Sequence, residues 1–172
     1  MKKIRFGVIG CGSIANEYHL PALRRVEGAQ LVWACDLIEE RAQKAKDDFG
    51  FEKYTLDYHD ILNDSSIDAV CIFTKIEMHA TLCIEAAAAG KHIFSQKPFA
   101  YNIEEGRKII RAVDEAGVKL TPSFMHSYMD GSIAARRIVE EGKIGEIRHI
   151  RMRNATKNPF DSAPGYGGCM MD

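Results

Sequence analysis

The amino-acid sequence predicts an α/β fold in which a doubly wound parallel sheet carries helices on both faces. Short apolar runs of strand length alternate with longer segments of helical periodicity through residues 4–123. The run at residues 69–73 is almost entirely apolar, which is typical of a strand in the middle of a parallel sheet. Repeated β-α-β units of this kind imply right-handed crossover connections.

Strands and helices follow one another in a regular order along this part of the chain. The predicted strands, each a short run rich in apolar residues, are residues 4–9, 30–35, 54–55, 69–73, 92–95 and 118–123. The predicted helices lie between them, at residues 13–23, 38–49, 58–62, 77–89 and 103–116. Pro21 is expected to kink or end the first helix, because proline has no backbone N–H. Gly50, Gly90 and Gly117 are expected to end the second, fourth and fifth helices.

Beyond the sixth predicted strand the pattern changes. Residues 133–141 have helical periodicity, and residues 147–154 are predicted to form a strand. The tail from residue 155 is rich in glycine, proline and asparagine without a clear period, which predicts a loop. We therefore predict two domains, formed by residues 1–121 and residues 122–172.

Composition and charge argue against several classes of protein. The 172 residues include 23 Lys and Arg against 24 Asp and Glu, which gives a formal net charge of -1. This balance, without a long block of like charge, predicts that the protein has no nucleic-acid partner. The apolar stretch at the N-terminus is broken by Arg5 and runs into glycines, so we interpret it as a strand rather than a signal peptide. The sequence contains no apolar stretch long enough to cross a bilayer, so no membrane partner is expected.

The cysteine pattern favours a reducing compartment. An odd number of cysteines, without CxxC spacing or a secretion signal, predicts reduced thiols and a cytoplasmic protein. We expect most of these side chains to be buried packing residues. Histidines and cysteines show no spacing typical of metal ligands, so no metal site is expected. The five cysteines are Cys11, Cys35, Cys71, Cys83 and Cys169.

A glycine motif follows the first strand and opens the first helix. In "GVIGCGSIA", Gly10, Gly12 and Ala15 form a G-x-G-x-x-A arrangement. Gly10 permits a tight turn, Gly12 lets a pyrophosphate approach the backbone, and Ala15 allows close packing of helix on strand. The amides that open the helix, including those of Ser13 and Ile14, then face the phosphates at the positive end of the helix dipole. The motif predicts a dinucleotide-binding domain of Rossmann type; the alternative is a tight turn without a ligand.

An acidic residue ends the second strand. Asp36 follows Gly10 by 26 residues, somewhat beyond the spacing of about 20 that accompanies this motif. Its carboxylate is expected to accept hydrogen bonds from the ribose hydroxyls and to repel a 2′-phosphate, so NAD is favoured over NADP. The alternative is that Asp36 caps the helix that starts near Ile38. Arg41 could assist a 2′-phosphate, so use of both cofactors stays open.

A lysine lies at the carboxyl end of the fifth strand, in "FSQKPFA". In open α/β sheets this edge is where ligands bind, so Lys97 is expected to face the cleft beside the nicotinamide. An ammonium there can hydrogen-bond a substrate hydroxyl and stabilise or relay the proton that is lost on oxidation. Pro98 would fix the local backbone, with a cis peptide as one option. The alternative is a solvated lysine at the end of a strand.

The segment "DAVCIFTKIEMHATLCIEAAAAGKHIFSQKPFA" resembles the hallmark region of the glucose-fructose oxidoreductase / inositol dehydrogenase / MocA family. In that family a strand, a T-P-x-x-x-H turn, an alanine-rich helix, A-G-K-H and E-K-P follow in order. The opening "GVIGCGSIA…HLPAL" and the stretch "KIGEIRHIRMR" are also similar. The resemblance implies a pyridine-nucleotide oxidoreductase acting on sugars, polyols or related carbonyl compounds. It further implies that Lys97 is the active-site lysine, that Thr74 and His79 border the cofactor, and that Gln96 lies beside it.

The chain departs from the family pattern at several positions. Gln96 stands in place of the usual glutamate and gives Lys97 no charge partner, while Lys75 replaces the proline of the turn. His126 and Ser127 occupy positions where relatives often carry arginines, which favours neutral polyols or sugars over anionic substrates. The alternative for His79, as a residue opening a helix, is a structural hydrogen bond to nearby backbone.

The end of the sequence, "PGYGGCMMD", resembles the G-G-G-x-L-L-D segment of the family. The resemblance implies that Asp172 is catalytic together with Lys97, and that an acid–base histidine follows four positions later. We therefore expect an NAD(P)-dependent oxidoreductase that is truncated here, with only the beginning of a second α+β domain for substrate binding and for homo-oligomer formation. Such a chain should bind NAD yet catalyse poorly. The alternatives are a dinucleotide-binding module or sensor with little catalysis, and an unrelated ligand binder of Rossmann type.

Overall fold

A computed structural model describes residues 3–153 of the chain. Backbone contacts divide the chain into two compact units, Met1–Ser123 and Phe124–Asp172.

The first unit is built on one parallel sheet of six strands in the order β3-β2-β1-β4-β5-β6. The strand order reverses between β1 and β4, and this switch point is where ligands bind in open α/β sheets. The predicted fold class is confirmed. The strands are β1 (Ile4–Ile9), β2 (Ala29–Cys35), β3 (Lys53–Thr55), β4 (Ala69–Ile72), β5 (His92–Ser95) and β6 (Leu120–Pro122).

The helices of this unit lie close to their predicted places because their end signals are local. Asn102 accepts a hydrogen bond from the Glu105 amide at 2.9 Å and so caps the last helix. The same helix ends where Gly117 adopts a left-handed φ of 66°. The helices are α1 (Leu20–Leu23), α2 (Glu39–Phe49), α3 (His59–Asn63), α4 (His79–Ala88) and α5 (Ile103–Ala116).

The first helix contains a local departure from α-helical geometry. Residues Ala15–His19 form a π-helical turn directly before α1, and the Leu20 amide donates to the Ala15 carbonyl five residues earlier. Pro21 lies in the first turn of α1, directly after the π-helical turn, and has no N–H to donate to a carbonyl of the preceding turn. The helix ends only at Leu23, so Pro21 accompanies a change of helical register rather than an immediate stop.

Apolar side chains cover both faces of the sheet. Along β4, Val70 and Ile72 pack on one face with residues of α3, α4 and α5, while Cys71 packs on the other with residues of α1 and α2. Alternation of side chains along a strand places neighbours on opposite faces. Each fully buried Val or Ile side chain contributes about 1.5–3 kcal/mol, so this two-faced core holds the strand ends in fixed positions.

The cysteines of the described part of the chain are free and buried, as predicted. Burial raises the pKa of the Cys11, Cys35 and Cys71 thiols to about 12 and that of Cys83 to about 11. These thiols are therefore protonated near neutral pH and act as packing groups. Cys169 lies outside the described residues.

Lys91 is a buried cation that ties two loops together. Its side chain is 5% exposed, and its ammonium donates to the carbonyls of Asp64 at 2.7 Å and Ile67 at 3.0 Å. Burial lowers the pKa of Lys91, while the nearby Asp64 and Asp68 carboxylates act in the opposite direction. The lysine thus satisfies backbone acceptors at the entrance to β4 that apolar packing alone would leave without donors.

We expect Lys91→Met to lower the free energy of unfolding by about 1–3 kcal/mol, because methionine fills the space but leaves two carbonyls without their donor. Urea denaturation checks this value, with Lys119→Met at an exposed lysine as the matched control. The control should stay within about 0.5 kcal/mol of the parent chain. Equal losses in the two variants would show that the buried ammonium adds nothing to stability.

The second unit is described up to residue 153. It contains a short 3₁₀ turn, Met125–Tyr128, and helix α6 (Asp130–Glu140), which begins three residues earlier than the helix predicted at 133–141. The predicted strand at 147–154 is wrong for its described residues, 147–153, which form no strand. A strand requires a neighbour for its backbone hydrogen bonds, and residues 3–153 supply none for this segment. Residue 154 and the predicted loop after it lie outside the described residues.

Across residues 3–153, every helix is too short or too polar to span a lipid bilayer.

Candidate functional site

The glycine turn after β1 brings two strand ends into close contact. Gly10 has a φ of +97°, and a Cβ at this position would lie 2.5 Å from the carbonyl oxygen of Phe73. The Gly10 amide donates to the Cys35 carbonyl at 2.8 Å. A side chain is therefore excluded at Gly10 by backbone geometry and by contact with the chain that follows β4. A Cβ at Gly12 would meet no atom within 4 Å, so the open side of this turn lies at Gly12.

Asn16 holds the carbonyl side of the same turn. Its side-chain amide donates to the carbonyls of Cys11 at 2.6 Å and Gly12 at 2.8 Å. The first amides of a helix lack intrahelical acceptors, and here they belong to a segment in which Ser13 and Ile14 are exposed. The Asn16 side chain thus satisfies the carbonyls of the turn, while the residues that begin the helix are exposed. Exposed amides at the start of a helix suit an anion such as a pyrophosphate.

Asp36 links the end of β2 to the glycine turn. One carboxylate oxygen accepts from the Cys11 amide at 2.8 Å, and the other accepts from the Ile38 amide at 2.9 Å. The second bond is a local turn contact rather than the helix cap kept as the alternative to ribose binding, because α2 begins at Glu39 and its N-cap residue is Ile38, with no side-chain cap. Each carboxylate oxygen has more than one acceptor site, so these contacts orient Asp36 and leave acceptor capacity for ribose hydroxyls.

Gln96 and Lys97 follow β5 at the same edge of the sheet. The Gln96 backbone amide donates to the Ile72 carbonyl at 2.9 Å, which extends the pairing of β5 with β4. The Lys97 backbone amide donates to the Gln96 side-chain oxygen at 2.7 Å, and the Lys97–Pro98 peptide bond is cis. Lys97 itself is half-buried.

His79 joins the two loops that follow β4 and β5. Its Nδ1 lies 2.8 Å from the Pro98 carbonyl oxygen, its Nε2 lies 3.1 Å from the Thr74 carbonyl oxygen, and its side chain is 1% exposed. The imidazole therefore makes the backbone contacts of the structural alternative. The cofactor contacts predicted for Thr74 and His79 stay predictions, and for His79 they would be indirect, through the loops that it holds. Lys75 precedes the 3₁₀ turn Ile76–Met78, so the turn forms without the family's proline.

Sequence reasoning missed His19, which lies in the first helix. Its Nε2 is 2.9 Å from the Gln96 side-chain nitrogen, and its ring stacks on Phe73 with centroids 4.3 Å apart. Burial lowers the pKa of His19. The only sequence signal was its place in "HLPAL", because 77 residues separate it from Gln96.

Most of the predicted site residues lie just after the carboxyl ends of strands. In a parallel sheet these ends all lie along the same edge. These residues are Gly10, Gly12, Ser13, Ile14, Asp36, Thr74, Gln96 and Lys97. His79 is the first residue of α4 and contacts the carbonyls of Thr74 and Pro98. His126 lies in the 3₁₀ turn of the second unit, and Asp172 lies outside the described residues. Residues 3–153 hold no group of three or more His, Cys, Asp or Glu side chains able to bind a metal ion.

The arrangement fits a dinucleotide. The open side of Gly12 admits a pyrophosphate, the start of the helix attracts its charge, and Asp36 can accept from a ribose.

Comparison with known proteins agrees with this interpretation. Residues 4–124 match the Gfo/Idh/MocA family model, described as an oxidoreductase family with an NAD-binding Rossmann fold. The scyllo-inositol 2-dehydrogenase (NAD(+)) of Bacillus subtilis is 33% identical, over 99% of this chain and 50% of its own length. The structure of myo-inositol 2-dehydrogenase from Lactobacillus plantarum superposes with a TM-score of 0.77 and 30% identity, covering 85% of this chain and 43% of that one.

A third relative was solved with the phosphorylated cofactor. A 3-ketoreductase from Actinomadura kijaniata, in complex with NADP and TDP-benzene, has a TM-score of 0.77 and 29% identity, covering 86% of this chain and 45% of that one. The chain spans about half the length of the curated relatives it matches. Since the family model covers most of the chain, from β1 through β6, the protein belongs to the Gfo/Idh/MocA family of oxidoreductases with an NAD-binding Rossmann fold.

Proposed function

We propose that the protein is an NAD-dependent dehydrogenase that transfers a hydride between the nicotinamide and a secondary alcohol carbon of a polyol or sugar. One observation carries the proposal: the glycine turn, Asp36 and Lys97 all lie at the same edge of the parallel sheet. Relatives named as inositol dehydrogenases support a polyol as the substrate class. When bound, the nicotinamide supplies the hydride chemistry, and the protein supplies position and electrostatics.

Lys97 is proposed to act on the substrate oxygen. Its ammonium would donate a hydrogen bond to the substrate oxygen and stabilise the negative charge that develops there, while the hydroxyl proton passes to a neighbouring water molecule. The contact of the Lys97 backbone amide with Gln96 Oε1, two residues after β5 ends, supports this role. A catalytic role for Asp172 is part of the proposal, on the family resemblance alone.

Asp36 is proposed to select NAD over NADP. Its carboxylate would hold the ribose hydroxyls and repel a 2′-phosphate. Because a structural relative was solved with NADP, the fold itself admits both cofactors, and the choice rests on residues such as Asp36.

In the parent chain we expect NAD to bind more tightly than NADP. In Asp36→Ala the difference in binding free energy between the two cofactors should shrink by about 1–3 kcal/mol. Calorimetric titration with both cofactors measures the ratio of the two affinities. Loss of the Cys11 and Ile38 contacts weakens both cofactors together, so the ratio isolates the effect of charge. Asp114→Ala, at an exposed aspartate of α5, should leave the ratio unchanged. Equal affinities in the parent chain would count against the assignment.

The proposed function and its alternative, a dinucleotide-binding module or sensor, separate in two measurements. Titration with NAD tests the cofactor site, and polyol-dependent formation of NADH tests the chemistry. The assay uses protein and NAD at similar concentrations, so that even a single turnover is detected. Binding of NAD without formation of NADH favours the dinucleotide-binding module or sensor. Failure to bind either dinucleotide overturns the proposal as a whole.

The proposal extends to organisation and location. Residues 1–121 are proposed to bind the dinucleotide, and residues 122–172 to contribute to substrate binding and homo-oligomer contacts. Buried, free thiols and a nearly neutral net charge suit a cytoplasmic protein without a nucleic-acid or membrane partner.

A further inference from the structure

A chain of hydrogen bonds connects the first helix to the lysine loop. The Lys97 backbone amide donates to Gln96 Oε1 at 2.7 Å, and Gln96 Nε2 lies 2.9 Å from His19 Nε2. Gln96 is only 8% exposed, so these contacts, rather than water, orient its side chain. The three residues come from the helix after the glycine turn and from the loop after β5.

The direction of each bond follows from the donors involved. A backbone N–H only donates, so the Gln96 atom that faces Lys97 must be the carbonyl oxygen. The other end of the amide is then an NH₂ group, which only donates, so His19 Nε2 must accept. An imidazole that accepts at Nε2 is neutral and carries its proton on Nδ1.

We propose that His19 is a positioning residue that, as a neutral Nδ1-protonated imidazole, fixes the Gln96 amide so that Gln96 holds the Lys97 backbone. The role of Lys97 in turnover rests on the function proposed above, but the positioning itself does not. A glutamine at position 96 matches this state of the histidine, since its amide offers one acceptor and one donor. A glutamate would offer two acceptors and would favour a proton on His19 Nε2 instead.

The surroundings of His19 favour the neutral ring. The imidazole stacks on Phe73 and meets Phe94 edge-on, with centroids 4.3 Å and 5.6 Å away. Burial of the ring is the cause of its lowered pKa. Protonation would place an N–H against the Gln96 NH₂ group. Rotating the Gln96 side-chain amide by about 180° would relieve this clash but would set its NH₂ group against the Lys97 N–H. Only the neutral ring therefore satisfies both contacts.

Nitrogen-15 spectra of the histidine rings in the parent chain test the proposal directly. Long-range proton–nitrogen correlations distinguish the two neutral tautomers and the charged ring. We expect His19 to be Nδ1-protonated near neutral pH. His92 is an internal reference of opposite type, since its Nδ1 accepts from the Lys119 amide at 3.1 Å and its proton must lie on Nε2. A His19 ring protonated at Nε2 overturns the proposal.

Two variants test the transmission to Lys97. Gln96→Glu should move the proton of His19 to Nε2 and raise the pKa of the ring. His19→Phe keeps an aromatic ring against Phe73 but removes the acceptor, so hydrogen exchange of the Lys97 amide should become about fivefold faster. Exchange of the Ile93 amide, which donates to Lys119 within the sheet, should not change and serves as the control. An unchanged Lys97 rate in folded His19→Phe overturns the positioning role.

These measurements require neither NAD nor a substrate. Loss of NAD binding with the expected His19 tautomer would therefore overturn the proposed function alone. A wrong tautomer with normal NAD binding would overturn the positioning role alone.

Discussion

Replacement of Lys97 by methionine should lower polyol-dependent formation of NADH by about 10²–10⁴-fold, because no ammonium then stabilises charge on the substrate oxygen. NAD affinity should stay within about threefold, because the proposed contact is to the substrate rather than to the phosphates or ribose. The free energy of unfolding should change by less than about 1 kcal/mol, since the side chain is only half-buried. Turnover is measured with enzyme and NAD at similar concentrations, so that a single turnover is detected.

Lys75→Met is the matched control, because Lys75 is an exposed lysine in the loop after the neighbouring strand β4. If general positive charge at this edge attracted the substrate or the phosphates, both variants would lose activity alike. A large loss of stability in Lys97→Met with unchanged turnover would assign Lys97 to the fold rather than to the chemistry.

Gly10→Ala should cause the largest loss of stability of any substitution in the glycine turn, about 2–5 kcal/mol. A φ of +97° is unfavourable for alanine, and its Cβ would lie 2.5 Å from the Phe73 carbonyl oxygen, which is backbone and cannot rotate away. Urea denaturation measures the loss, and the shift of β1 against the end of β4 should abolish NAD binding as well. A stable Gly10→Ala variant with normal binding would contradict the geometry of this turn.

Gly12→Ala separates ligand binding from folding. A Cβ at Gly12 meets no protein atom within 4 Å, so the free energy of unfolding should change by less than about 1 kcal/mol. The same methyl group points to the open side of the turn and should weaken NAD by about tenfold or more, because the pyrophosphate must approach the backbone there. Unchanged NAD affinity in this variant would show that the dinucleotide binds elsewhere.

The parts of the fold that were predictable depend on local signals. Helix α5 begins and ends where predicted because Asn102 and Gly117, which lie beside its ends, satisfy its terminal amides and carbonyls. The strand predicted at 147–154 failed for its described residues because apolar alternation shows which side chains suit a strand, but not whether a partner strand is present. The same limit hid the burial of Lys91, whose acceptors lie 24 and 27 residues away in sequence.

The candidate site divides in the same way. Gly10, Asp36 and Lys97 could be proposed from the sequence because each lies within two residues of the end of a strand, and parallel strands place such residues on one edge. His19 was missed because its partner Gln96 is distant in sequence and because His19 itself lies in a π-helical turn, which helical periodicity does not predict. For His79, the structural alternative could be recognised only from the two carbonyls that its ring contacts.

Because of the π-helical turn at Ala15–His19, the directions of His19 and of the glycine turn depend on the number of residues between Gly12 and Pro21 as well as on their identity. A π-helical turn contains one residue more than the corresponding α-helical turn, and each residue of an α-helix rotates the chain by about 100°. Deletion of one residue here would therefore restore regular helix but turn either His19 or the glycine turn away from its present direction. Single-residue insertions and deletions between Gly12 and Pro21 should accordingly be rarer in evolution than substitutions at the exposed positions Glu17 and Tyr18.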